Sequence, residues 1–462
     1  MGRPLLLACS LAVTVGMRAQ SLVPPASTSA AQRSEPASLQ PNDEKASAPM
    51  LTLQDALALA HQHQPNLRLA SAHVDAAEAR VAEARAAFYP QISLTGIVKA
   101  GLPGSTNALG LVGFPATPFF RNIAGSLNIQ QSIFDFGRLR HTLGATKLLE
   151  RAAGLQHTTA DRTTTLLVAR AYFLALAAGT QRQIAEVEVA RQQLDCKEAQ
   201  AYERSGLRSQ YDAKVVARKL AVAEFASLQN RLAEDTAKVA LRVVMGVDDI
   251  ASPMTLVLPA PQIGTGQDHR DTREAISLAE KNRPELQAAA LEADALDQQL
   301  AVARADRLPQ VGAFGAAGGG RFNDATVKPQ QQHGVAALGA SLTVYDGGMR
   351  KARIREAKAE LSAEAARRDQ LRENIAREVN DVLLQSSSAT AALASARQEQ
   401  RLAGEELGGV SAQAKVGLVS AASRERARLH LAELSSSAMA AQLADEMLRI
   451  NLAFALGQEI HP

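Results

Sequence analysis

The chain has no tryptophan, and phenylalanine and tyrosine together make up only 3% of its 462 residues. So few large side chains argue against a thick globular core and favour long helices built on alanine, glutamine, glutamate and arginine. There are two cysteines, Cys9 and Cys196, too few for a disulfide framework or a cysteine-based metal site. Charge of one sign is also missing. The formal balance is +3, arginine is interleaved with acids, and no basic block points to nucleic acid. Beyond the N-terminus no stretch has eighteen consecutive apolar residues, so no membrane-spanning helix is expected. No Ser/His/Asp or Cys/His set stands at a suggestive spacing, so the chain is not expected to be an enzyme or to carry a cofactor. His61 and His63 are two apart and would point to opposite sides of a helix, which rules out a shared metal. The glycine-rich "GAFGAAGGG" (312–320) lacks the Lys-Ser/Thr of a phosphate loop and falls in a strand.

The chain opens "MGRPLLLACSLAVTVGMRAQ", with Arg3 ahead of a mostly apolar run from Pro4 to Met17. This reads as a secretory signal over 1–19, too short for a spanning helix and without a clean small-x-small pattern near Ala19. "LLAC", ending at Cys9, resembles a lipoprotein box, but the apolar run before it is very short and continues past it, so ordinary cleavage is the expectation. Residues 20–50 hold Pro24, Pro25, Pro36, Pro41 and Pro49 among serine and alanine and are expected to be a disordered leader.

The remainder is written twice. "QDALALAHQHQPNL" (54–67) matches "REAISLAEKNRPEL" (273–286), and Pro65/Pro284 and Pro90/Pro309 are each 219 apart. Asp135/Asp346, Gly137/Gly348, Gly206/Gly417 and Gly246/Gly457 are each 211 apart. Two constant offsets separated by one deletion mark an internal duplication, with repeats over 51–250 and 271–460 and a linker over 251–270.

Each repeat is expected to contain the same elements. Thr52 and Asp271 look like N-caps of short helices, and Pro65 and Pro284 suit the first turn of a second helix. That second helix runs to Tyr89 or Leu308 and is stopped by Pro90 or Pro309. Strands follow at about 91–101 and 122–136, then at about 310–321 and 334–346, each with one apolar face. After Gly137 and Gly348 the helical period returns and holds to Gly206 and Gly417, a span of roughly 100 Å. A further helix leads to Met245, and the two shorter helices of a repeat would stack end to end beside the long one.

The strands have the length that a tilted strand needs to cross a bilayer. Ten of the sixteen aromatics lie in 88–136 and 309–346: Phe88, Tyr89, Phe114, Phe119, Phe120, Phe134, Phe136, Phe314, Phe322 and Tyr345. Several sit at strand ends, as in an interfacial girdle, although strands favour aromatics anywhere. Four such strands cannot close on themselves, and open edges in lipid leave backbone groups unpaired. Other copies of the chain must complete the ring: two copies would give eight strands with a lumen filled by side chains, and three would give twelve with room for a pore. The junction residues are then Pro90, Asp135, Gly137, Pro309, Asp346 and Gly348, where a barrel strand becomes a helix. The rival reading is a periplasmic coiled-coil adaptor without a barrel.

"LTLQDALALAHQHQPNL", "IFDFGRLR", "VYDGGMRKARIREAKAEL", Tyr172 in "ARAYFLAL", "SGLRSQYD", "VGLVSAAS" and the closing "MG" and "LG" resemble, in this duplicated order, the TolC family of outer-membrane efflux channels. The resemblance covers roughly 51 to 460. It implies a mainly α protein with a small transmembrane β part: a homotrimer whose twelve-stranded barrel sits in the outer membrane of a Gram-negative bacterium. A long helical tunnel continues into the periplasm. It also implies an exit duct for tripartite efflux or type I secretion, fed by an inner-membrane pump through a periplasmic adaptor, with no chemistry of its own.

Within that resemblance the helix tips meet the adaptor, here Gly206, Leu207 and Ser209 and again Gly417, Leu418 and Ser420. The residues themselves say only that glycine ends one helix and serine can cap the next. Relatives that narrow the tunnel with acids six and nine residues after the second tip glycine are not matched, since Ser423 and Arg426 stand there. Asp212, Arg424 and Glu425 are the neighbouring charges at this entrance, and the two arginines lead to the expectation of a less cation-selective mouth.

Overall fold

A computed structural model describes residues 50–101, 120–247, 254–258, 271–321 and 330–459. The signal and lipid-box readings and nearly all of the leader lie outside these residues, as do Phe114, Phe119 and Phe322.

The first repeat runs β1 (Met50–Leu51), α1 (Leu53–His63), α2 (Pro65–Ala86), β2 (Gln91–Gly101), β3 (Phe120–Phe134), α3 (Arg138–Arg204) and α4 (Gln210–Met245). The second runs β4 (Thr255–Leu256), α5 (Thr272–Asn282), α6 (Pro284–Ala305), β5 (Gln310–Arg321), β6 (Gln330–Ser341), α7 (Met349–Lys415) and α8 (Ala421–Ala455). The short pair β1–β4 is parallel, so Met50 belongs to the folded part and not to the leader, and the linker holds a strand.

Several boundaries shift from the sequence expectation. The second strand of the first repeat is Phe120–Phe134 and not 122–136, because Asp135, Phe136 and Gly137 form the turn into α3. The last strand stops at Ser341 rather than 346, where its partner β5 runs out of residues at Gln310. The helices ahead of the strands end at Ala86 and Ala305, each followed by a turn before its proline. Thr52 caps α1 with a reciprocal Thr52–Asp55 box, whereas Asp271 takes the N-cap position of α5 without a side-chain bond.

The helices form a layer four columns wide. End-to-end α2 and α4 flank one side of α3, α6 and α8 flank the other, and α7 lies beyond them. The 67 residues of α3 span about 100 Å, as do those of α7. Two apolar clusters pin the joints where short helices meet. Leu53, Leu57, Val168, Tyr172, Phe173, Leu241 and Met245 join α1, α3 and α4. Ala275, Ala279, Ile375, Val379 and Leu456 join α5, α7 and α8. The middle of α3 has a stretch apolar enough by composition to cross a membrane; it is the segment that fills the first cluster. At its centre the buried Tyr172 hydroxyl faces the carbonyls of Leu51 and Val257 at 2.9 and 2.5 Å, tying α3 to the β1–β4 ribbon. Burial pushes the Tyr172 phenol up to about 12, against the hydrogen bond to Val257.

Candidate functional site

The sheet has the order β2–β3–β5–β6, antiparallel throughout, and among the described residues β2 and β6 have no partner on their outer edges. The register carries one face across it. Ile92 lies opposite Ile129 and then Gly315 and Ala336; Leu94 lies opposite Leu127, Ala317 and Gly334. On this face Leu94 is 83% and Leu338 77% exposed in the single chain. The other face of the first hairpin is amide and hydroxyl: Gln91, Ser93, Thr95, Ser126, Asn128 and Gln130, with Asn128 Nδ2 donating to Thr95 Oγ1 at 3.1 Å. Strand spacing leaves no room at Gly318, where a Cβ would stand 2.5 Å from the Gly125 carbonyl oxygen. Strands of 11 to 15 residues with an outward apolar face match a tilted span of hydrocarbon.

Aromatic side chains collect where strands meet helices. Phe88, Tyr89, Phe134, Phe136 and Tyr345 are exposed there, and the rings of Phe134 and Phe136 meet edge-on at 4.7 Å. Pro90 and Pro309 each sit one residue before a strand. Asp135 and Asp346 perform a second task that the sequence reading missed: they cap the long helices. Asp135 accepts from the amides of Gly137 and Leu139 at 3.1 and 2.8 Å, and Asp346 from Gly348 and Arg350 at 3.0 and 3.2 Å. Desolvation pulls the Asp346 carboxyl upward, but those amides and the Arg350 guanidinium outweigh it and hold it below the usual range.

At the far end of the helices the two tips repeat one geometry. Gly206 and Gly417 are left-handed, with φ of 73° and 77°. The next residue closes each turn: Leu207 N donates to Tyr202 O at 2.9 Å and Leu418 N to Gln413 O at 3.0 Å. Ser209 caps α4 through Asp212, and Ser420 caps α8 through Ser423. The caps and turns account for glycine and serine. They do not account for Leu207 and Leu418, which are 73% and 75% exposed.

The entrance charges differ from the sequence picture. Arg426 turns to α3 and is paired with Asp195, at 3.1 Å, and with Glu198, so its charge is neutralised. Although partial burial pulls its pKa down, these two acids raise it overall. Glu425 stands 3.6 Å from Arg428, Asp212 accepts from Ser209, and Arg424 is exposed. Asp195 and Glu198 lie about 230 residues from Arg426, so no local pattern could have found them. His61 Nε2 lies 3.0 Å from Asp161 on α3, and among the described residues no group of three His, Cys, Asp or Glu side chains is placed to hold a metal ion.

A half-open sheet with a lipid-facing side, carried on a long helical layer, defines the class: an outer-membrane channel protein of the helical-tunnel type. Solved structures share the fold. VceC of Vibrio cholerae superposes with a TM-score of 0.69 at 20% identity, over 88% of this chain and 97% of that one. CmeC of Campylobacter jejuni superposes with 0.70 at 14% identity, over 88% and 85%. Protein CyaE of Bordetella pertussis is 28% identical over 328 residues, which are 70% of this chain and 66% of that protein. The model of the outer membrane efflux protein family matches residues 56–247 and 275–458, and the chain belongs to that family. Its place is the outer membrane.

Proposed function

We propose that three copies of this chain close a twelve-stranded barrel and a helical tunnel that serve as the exit duct of a tripartite efflux or type I secretion system. The observation that carries this reading is the open sheet: apolar on one face, polar on much of the other, and unpaired at both edges among the described residues. Unpaired edges in hydrocarbon cost several kcal/mol per group, so the sheet must close with others like it. Four strands per copy and three copies leave a lumen wide enough for water and solute.

The duct is passive. An inner-membrane pump supplies the energy, and a periplasmic adaptor brings the substrate to the inner end. The exposed Leu207 and Leu418 of the tips are the proposed docking residues, held outward by Gly206, Ser209, Gly417 and Ser420. The rival reading, a periplasmic adaptor with no barrel, is disfavoured by a lipid-length sheet that such a protein does not need. The test is insertion of the purified protein into planar bilayers. Discrete conductance steps, from protein recovered as an oligomer in the outer-membrane fraction, are expected; a water-soluble monomer without conductance would end this reading.

A further inference from the structure

Where the sheet gives way to the long helices, the chain is crowded with bases. Arg138 and Arg140 stand at the start of α3, and Arg350, Lys351, Arg353 and Arg355 at the start of α7. Over 135–144 and 346–355 the acids are Asp135 and Asp346 alone, and both are taken up in capping the two helices. The fold does not call for these charges. A helix start carries the positive end of the dipole and favours acids, as at Asp55 in α1, Asp212 in α4 and Glu274 in α5. α3 and α7 have no acid in their first turn. Lys351 and Arg355 are also four apart on one helix, where like charges repel. Arg350 is accounted for, since it pairs with Asp346 at 3.3 Å and donates to the Thr343 carbonyl at 2.9 Å. Arg140, Lys351, Arg353 and Arg355 are exposed and form no ion pair among the described residues. The buried Nε of Arg138 has no hydrogen-bond partner, and Asp306 comes only to 3.9 Å. Arg138 also lines a cavity of about 360 Å³, with Gln130, Gln131, Ser132 and Ser341 among its walls.

We propose that this collar of bases holds the anionic headgroups of phospholipids in the leaflet that faces the periplasm. Height is the first argument. The apolar face of the sheet spans the hydrocarbon, and the exposed rings of Phe134, Phe136 and Tyr345 mark its end. Seven helical residues rise about 10 Å, so all of these bases stand within about 10 Å of that end, at the level of the polar headgroups. Charge is the second. A zwitterionic headgroup brings its own cation and gains little here, whereas phosphatidylglycerol or cardiolipin brings uncompensated phosphate. Clusters of bases beside a membrane span attract such lipids. Arginine adds a forked donor set that matches phosphate oxygens, and the unpartnered Arg138 Nε is one more donor for the same group. Repetition is the third. Arg140 and Lys351 are 211 apart, the offset of the repeats, so both long helices present a base at one height. The inference rests on the outer-membrane place of the sheet, and not on the export role or the number of copies.

The test places the purified protein in vesicles of phosphatidylethanolamine with a minor share of phosphatidylglycerol. Polymer-bounded discs are then cut from them, which keep the lipids around each protein. Relative to protein-free discs from the same vesicles, phosphatidylglycerol is expected to be enriched about threefold. Arg140→Gln with Lys351→Gln, Arg353→Gln and Arg355→Gln is expected to return the ratio to that of the bulk at unchanged helix content. Arg140→Lys with Arg353→Lys and Arg355→Lys should keep the enrichment. Lys214→Gln with Arg218→Gln and Lys219→Gln, which removes exposed bases at the opposite end of the helices, should keep it too. Equal ratios in wild-type and empty discs, or an enrichment that survives the fourfold change, would overturn the inference. Loss of the enrichment in the α4 variant would do the same, by assigning it to overall charge. So would its loss on adding inorganic phosphate at constant ionic strength, which would assign the bases to a free anion. If the fourfold variant fails to insert, Lys351→Gln with Arg353→Gln is read in the same way, with about half of the enrichment lost.

Discussion

Arg283 Nε donates to the carbonyl of Ala455 at 2.9 Å, the place that Gln64 takes toward Val244 at 2.7 Å in the first repeat. In both repeats the residue between the two short helices thus ties their joint to the last turn of the returning helix. Arg283 does more than Gln64. Its Nη2 lies 2.7 Å from Glu378 on α7, an ion contact without hydrogen-bond geometry, and its guanidinium covers the Phe454 ring at 5.3 Å. Arg283 is buried but Glu378 is partly exposed, so removing Arg283 breaks a buried hydrogen bond together with a partly screened ion contact. Arg283→Ala is therefore expected to lower the thermal unfolding midpoint of the purified protein clearly. Arg283→Gln, which restores the first repeat's own solution, should lose less.

Leu207 and Leu418 contribute little to the fold, because both stand in solvent at closed turns. Leu207→Ser with Leu418→Ser is expected to leave the level and heat resistance of the oligomer unchanged and to abolish export. Export assays on cells, run beside gels of the same membranes, check this. A fall in oligomer would assign the leucines to assembly instead.

Arg426 neutralises Asp195 and Glu198. Arg426→Ala would leave two carboxylates near the entrance without their cation. Reversal potentials in a KCl gradient are expected to move toward K⁺ relative to wild type. The exposed pair is worth at most about 1 kcal/mol, so stability should hardly change. An unchanged reversal potential would place these acids off the conducting path.

Glu292 lies between α3 and α6, where burial first and Glu364 second raise its pKa, against the Gln156 amide and Arg367. A carboxyl whose folded pKa is raised is penalised when ionised. The penalty is full above the raised pKa and fades as pH falls toward the ordinary value of 4.5. Glu292→Gln is expected to be more stable than wild type at neutral pH and equal to it near pH 4. Unfolding midpoints across that range check the sign.

The elements were legible because their signals are local. Asp135-Phe136-Gly137 and Asp346-Gly347-Gly348 mark a change of period that any reader of the chain can see. Thr52 with Asp55, and Ser209 with Asp212, are capping pairs three residues apart. What was not legible were contacts between distant positions. The strand ends moved by a few residues because a ladder stops where its partner stops, as β6 does opposite Gln310. Arg426 read as a free charge until α3 came beside it.

By itself the sequence determined a duplicated chain of long helices and four bilayer-length strands, since helical and strand periods and turn residues act within a few positions. Only the tertiary structure decided the column order around α3, the pairing of β3 with β5 across the repeats, and which faces of α4 and α7 stay uncovered. Those outcomes depend on side chains hundreds of residues apart competing for the same neighbours, and such competition leaves no trace in local spacing.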